Sequence, residues 1–246
     1  MKELLVVMLA LILPLGGQRQ QIPPEAYGTD TYSLKYKLGP IATKVAEATL
    51  SVEEATWQQE DAYVCHASIK ASNIFRLFMA EEYGGRTYMS ALGLDPLYSN
   101  LPFHKNGMDS KFEFIYNKER EVVEWNIVNV KEDIHKEFPL DGYTMDLLAF
   151  SLYVRTLNPD EMTGSLPMHT MVGRELVPIR VSYFGEDPSY IKGRSAYHYI
   201  VYMIGRGMME NRSGDEVNIW VDSQSRKLLG LQIKLNTGSL VVKIQQ

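Results

Sequence analysis

Apolar and polar residues change places at every step along most of this chain, and that period of two constrains its fold more than any other feature. From Tyr32 to Leu38 one face reads Tyr32, Leu34, Tyr36 and Leu38, and the other reads Ser33, Lys35 and Lys37. Such alternation belongs to a strand with one buried face. Gly39 and Pro40 end it, and Ala46, Ala48, Leu50 and Val52 line the inner face of the next strand. Tyr63 to Ala71 reads as a third. Phe112, Phe114 and Tyr116 alternate with polar neighbours, Asn117 to Arg120 turns the chain, and Val123, Trp125 and Ile127 return. This predicts a hairpin with an aromatic cross-strand cluster. The C-terminal half repeats the pattern in Val177, Ile179, Val181 and Tyr183, and in Val217, Ile219 and Val221. After a turn over Ser223 to Arg226 come Leu229, Leu231, Ile233 and Leu235, then a second turn, then Leu240, Val242 and Ile244. Strands in succession with short polar turns pair as antiparallel meanders. Eight or more of them, without the spacing of parallel crossovers, form a sheet that must curl, close or split.

One segment breaks the period. Met145 to Thr156 has good helix formers, no turn residues and almost no polar face, which predicts a buried helix. Thr144 is its expected N-cap, with Asp146 in the first turn and Arg155 in the last, as the helix dipole favours. Glu81 to Gly107 is glycine-rich, contains Pro96 and Pro102 and shows no clear period, so it reads as a long surface loop or a lid. The expected class is therefore all-β and mainly antiparallel. Its form is a strongly curved sheet or partly closed β-barrel, with one buried helix at about 145–156.

The N-terminus carries a different signal. Lys2 precedes the apolar run Leu4 to Leu15, and Gly16 and Gly17 follow it. A short positive start, an apolar core and a small-residue exit form a secretory signal peptide, and the run is shorter than the roughly 20 residues a membrane span takes. The expected organisation is a signal peptide over 1–17, an N-terminal extension over 18–30 and a single curved β domain over 31–246. No cysteine follows the apolar run to take a lipid, so the expected location is the periplasm, without a transmembrane segment in the mature chain. A formal net charge of -5, with basic residues scattered, gives no footprint for nucleic acid. Cys65 is the one cysteine, which excludes an intramolecular disulfide and predicts a small buried hydrophobe.

Candidates for chemistry are few. The five histidines, His66, His104, His135, His169 and His198, show no metal-ligand spacing, and His198 between Tyr197 and Tyr199 reads as a structural imidazole. Cys65 and His66 are neighbours on a strand and point to opposite faces, so they form no nucleophile-base pair. Asp141 and Asp146 flank the helix start, where capping is their expected work, and the pairs Glu53-Glu54 and Glu81-Glu82 read as solvated charges. No catalytic residue, metal site or cofactor is expected. Asn211-Arg212-Ser213 matches a glycosylation acceptor, a triplet too common to carry weight. More suggestive is Ala196 to Ile204, apolar on both faces, with Tyr197, Tyr199, Val201 and Met203 on one and Ile200, Tyr202 and Ile204 on the other. A strand covered on both sides can face the helix on one and a ligand on the other. Tyr197, Tyr199, Tyr202, Phe150 and Trp125 are the expected lining of such a cavity.

The segments Tyr32 to Ile41 and Val45 to Leu50 resemble the opening of an exported bacterial family, domain of unknown function 3108. Asp146, Ser151, Tyr153 and Arg155 are similar to the spaced residues of that family's central helix, an aspartate, a serine and Tyr-x-Arg set in an apolar run. Gly214 to Asp222 and Gly238 to Val242 resemble its closing strands. The likeness covers roughly Thr31 to Ile244. It implies a periplasmic protein of curved antiparallel architecture, with no catalytic residue to carry across. Where the family has two aspartates and a proline near the penultimate turn, this chain has Asp222 to Leu229 with a single aspartate. Three functions fit. The first is a non-catalytic binding or carrier protein for an apolar or amphipathic envelope molecule. The second is an envelope scaffold or assembly factor that binds another protein, and the third a hydrolase of glycans or lipids.

Overall fold

The computed structural model describes residues 22–72, 82–105, 108–129, 133–140, 143–172, 175–204, 216–235 and 237–245. The expected signal peptide, Asp141 and the Asn211-Arg212-Ser213 triplet lie outside these residues. Fifteen strands form one sheet. The first eight are β1 (Gly28–Leu38), β2 (Ile41–Trp57), β3 (Glu60–Ala71), β4 (Glu82–Ser90), β5 (Pro96–Lys105), β6 (Met108–Asn117), β7 (Val122–Asn129) and β8 (Asp133–Pro139). Then come β9 (Thr144–Asp146), the helix α1 (Leu147–Tyr153) and β10 (Ser165–Val172). The chain ends with β11 (Glu175–Ile191), β12 (Arg194–Met203), β13 (Glu216–Asp222), β14 (Leu228–Lys234) and β15 (Ser239–Ile244).

The order across the sheet is β8-β7-β6-β5-β4-β3-β2-β1-β15-β14-β13-β12-β11-β10-β9. Two meanders thus meet at the β1–β15 pair, where Tyr32 lies opposite Ile244 and Tyr36 opposite Leu240. Every pairing is antiparallel except the short β9–β10 contact, which is parallel. The expected hairpin is present, with Phe114 opposite Trp125 and Phe112 opposite Ile127.

A flat sheet of this width would leave its apolar face wet, and this one curls instead. Met171 on β10 shares a buried cluster with Phe114, Tyr116, Val123, Trp125 and Ile127 of β6 and β7, far away in strand order. The sheet is not closed into a barrel, because its edges β8 and β9 do not pair. Those edges follow one another in sequence. Within the curl lies the main core, where Leu148, Ala149, Phe150, Leu152 and Tyr153 of α1 pack on residues from both meanders. The N-terminal segment joins it through a 3₁₀ turn at Pro24–Ala26, with Ile22 and Ala26 buried.

Two expectations need correction. Residues 81–107 are not a loop or a lid over the described part, but the strands β4 and β5 joined by the turn Ala91 to Asp95. Their alternation is hidden because polar or bare residues share the inner face with apolar ones such as Met89. Thr87 and Ser99 point inward with no exposed surface, and a Cβ on Gly85 would lie 2.4 Å from Leu101 Cδ2, so that side chain fills the space. The helix is also shorter than Met145 to Thr156. Thr144, Met145 and Asp146 form β9, and Val154–Thr156 is a 3₁₀ turn. The N-cap is Asp146 rather than Thr144, since the Asp146 carboxylate accepts hydrogen bonds from Leu148 N and Ala149 N.

Candidate functional site

Two charges bracket the apolar helix, and both are buried. Asp146 and Arg155 are each 1% exposed. Asp146 Oδ1 caps the helix by accepting from Leu148 N at 2.8 Å and Ala149 N at 3.0 Å, and it also accepts from Thr87 Oγ1 at 3.2 Å. Its Oδ2 accepts from Ser99 Oγ at 2.5 Å and Tyr116 Oη at 3.0 Å, while Tyr116 Oη accepts in turn from Asp146 N. Five donors surround one carboxylate, so its charge is stabilised despite burial. Thr87, Ser99 and Tyr116 stand on β4, β5 and β6, so the cluster ties the helix start to the far meander. Burial, and then the Asp146 charge, hold the Tyr116 phenol well above its usual range, which keeps it a donor.

Arg155 is placed differently. Nη1 donates to Ala26 O at 3.4 Å, a long contact, and Nε and Nη2 have no hydrogen-bond partner. Its charge is felt nearby: burial raises the Tyr32 hydroxyl and the Cys65 thiol, and Arg155 opposes both rises. The neighbouring acids are engaged elsewhere. Asp30 Oδ1 lies 2.8 Å from Lys227 Nζ, and Asp146 is filled by the donors above. Cys65 is fully buried, and burial pushes its thiol up to about 12, so it stays protonated and is no nucleophile.

The residues expected to line a cavity are only partly brought together. Tyr199 and Phe150 lie in the main core, and Tyr199 Oη donates to Leu157 O at 3.0 Å. Tyr197 packs against the same cluster, edge-on to Tyr183 and with the Arg226 guanidinium 4.8 Å from its ring. Trp125 belongs to the second cluster, stacked near Phe112 at 6.1 Å. Tyr202 faces outward, 41% exposed, beside an open hollow shared with Ser165, Arg180, Ser182 and Ile204. A side chain that borders a water-sized void keeps some accessible surface. Tyr199 and Trp125 have none and are packed by protein on all sides.

An open hollow of about 270 Å³ lies at the seam, lined by Asp95, Pro96, Lys118, Glu121, Leu140, Tyr143, Thr144 and Met145. Its buried lining residues are Pro96, Thr144 and Met145, a mixed polar and apolar set, and its more exposed ones include Lys118, ion-paired with Asp95 at 3.1 Å, and Glu121. Elsewhere the polar groups are structural. His198 Nε2 lies 2.7 Å from Asn218 Oδ1 and its ring stacks on Trp220 at 4.6 Å, as its flanking tyrosines led us to expect. Asp222 Oδ1 accepts from Gln224 N and Ser225 N in the penultimate turn, and Oδ2 accepts from Arg194 Nε at 2.8 Å. Among the described residues no group of three or more His, Cys, Asp or Glu could hold a metal ion, and no helix is long and apolar enough to cross a membrane.

The sequence places Asp146 and Arg155 in the first and last turns of the helix, but neither the polar partners of Asp146 nor the burial of Arg155 is directly legible in it. The signal was there in two charges set at the ends of an otherwise apolar run. Burial of the run carries both charges inward, and a buried charge demands partners. A family described as "Protein of unknown function (DUF3108)" matches residues 31–245. Among curated proteins none matches the chain.

Proposed function

The chain belongs to the DUF3108 family, and from that premise we propose that it is an exported, non-catalytic binding protein that carries an amphipathic molecule of the cell envelope. The observation that carries this reading is the unclosed seam. A curled sheet with an apolar inner face is left unpaired between β8 and β9, and the hollow there sets Pro96, Leu140 and Met145 beside Thr144 and the charged Asp95, Lys118 and Glu121. That is the chemistry of an entry for a molecule with an apolar body and a polar end. The apolar run Leu4 to Leu15 behind Lys2 supports export to the periplasm.

A second reading, a scaffold for another protein, draws on the outer face. There Phe184 is 70% exposed, and Tyr202 and Ile204, about 40% exposed, border hollows that share Arg180 and Ile204. Native mass spectrometry of the mature protein taken from its own host separates the two. Extra mass that leaves on denaturation and enters organic solvent supports the carrier. A clean apo mass removes the carrier and favours the scaffold.

A further inference from the structure

Among the described residues, Arg155 is a buried charge with donors to spare. It is 1% exposed, its Nε and Nη2 are unpartnered, Nη1 makes a 3.4 Å contact to Ala26 O, and the Tyr32 hydroxyl is its neighbour. Leaving an ion buried without a counter-charge is costly even after the protein relaxes. Neither Asp30 nor Asp146 pairs with it: Lys227 holds Asp30 Oδ1, whose Oδ2 is itself unpartnered, and five donors fill Asp146. A guanidinium offers a planar fork of donors that matches two oxygens of a carboxylate or a phosphate. We propose that Arg155 anchors the anionic head group, a carboxylate or phosphate monoester, of the amphiphile whose binding was proposed above, an inference that rests on that reading.

The Ala26 carbonyl that meets Arg155 belongs to a short turn. The turn Pro24–Ala26 has no side-chain cap and is held by Ala26 N to Pro23 O at 2.8 Å and Tyr27 N to Pro24 O at 3.0 Å. The Ala26 carbonyl stands where a ligand oxygen would sit. Its long contact is readily exchanged for a charge-assisted one, which is shorter and about twice as strong. Because Arg155 is 1% exposed, anchoring requires this turn to lift and admit the head group.

The test is calorimetric titration of the full mature chain with four probes: decanoate, decyl phosphate, decanol and acetate. Decanoate or decyl phosphate is expected to bind roughly tenfold or more tightly than decanol, and whichever does so names the head group. Arg155→Met should bring the anionic probes to the decanol value and leave decanol unchanged. Equal binding of decanol and both anions, or a preference that survives in Arg155→Met, overturns the inference while the carrier reading stands. Acetate as tight as decanoate removes the amphiphile and leaves a small-anion site. Silence from every probe overturns the inference and the carrier together. Should Arg155→Met fail to fold, the wild-type ratio of anion to alcohol decides alone, and Arg155→Lys, which keeps the charge without the fork, should give an intermediate ratio.

Discussion

Asp222 shows how one carboxylate can hold a turn. Burial works against its charge, but hydrogen bonds from Ser225, the nearby Arg194 guanidinium and Gln224 N hold the carboxyl below the usual aspartate range. The folded chain therefore binds this proton less readily than the unfolded chain. The resulting stability is complete above the ordinary aspartate range and drains away as pH falls through the lowered folded value. Asp222→Asn should cost about 2 kcal/mol at neutral pH. It should also flatten the acid side of the stability profile, as urea unfolding followed across pH would show. A variant with an unchanged acid limb would place the acid sensitivity elsewhere. The single aspartate kept in this turn does the work of orienting the chain between β13 and β14.

At the level of elements, the helix and the β4–β5 pair explain each other. Asp146 caps α1 and gathers hydroxyl groups from Thr87, Ser99 and Tyr116, so Asp146→Ala removes the cap and strands three buried donors. The expected loss is about 3 kcal/mol or more, read from chemical denaturation. Asp146→Asn should lose less, because the amide oxygen can still cap the helix. The same contacts show why the sequence was legible in one place and not in another. In the β6–β7 hairpin the inner residues Phe114, Tyr116, Val123, Trp125 and Ile127 are large, and the period of two is plain. In β4 and β5 the inner residues that meet the helix start are Gly85, Thr87 and Ser99. The alternation there is of shape and hydrogen bonding rather than hydropathy, and a hydropathy reading takes it for a loop. Arg155 was hidden for a related reason. Its position in the last helical turn fits a dipole partner at the surface, and only the fold reveals that this helix end is covered by Ile22 and Ala26.

For the molecule as a whole, the decisive contact joins the two ends of the chain. β1 and β15 form the junction between two meanders, with Tyr32 opposite Ile244 and Leu34 opposite Val242. A chain ending after Leu235 lacks β15 and leaves β1 and β14 with bare edges in the middle of the sheet, where hydrogen-bonding groups are hard to satisfy otherwise. It should lose the single cooperative unfolding transition and its near-ultraviolet circular dichroism. If both persist, the helix cluster alone holds the halves together. The order of synthesis gives this junction a further consequence. A ribosome releases the chain from its N-terminus, so β1 waits with one side open until β15, which follows all the strands between, has been made. Pairings so distant in sequence are slow to form, and an open strand edge invites the wrong neighbour meanwhile. The moment at which this sheet can join its two meanders is set by the arrival of the six-residue strand β15.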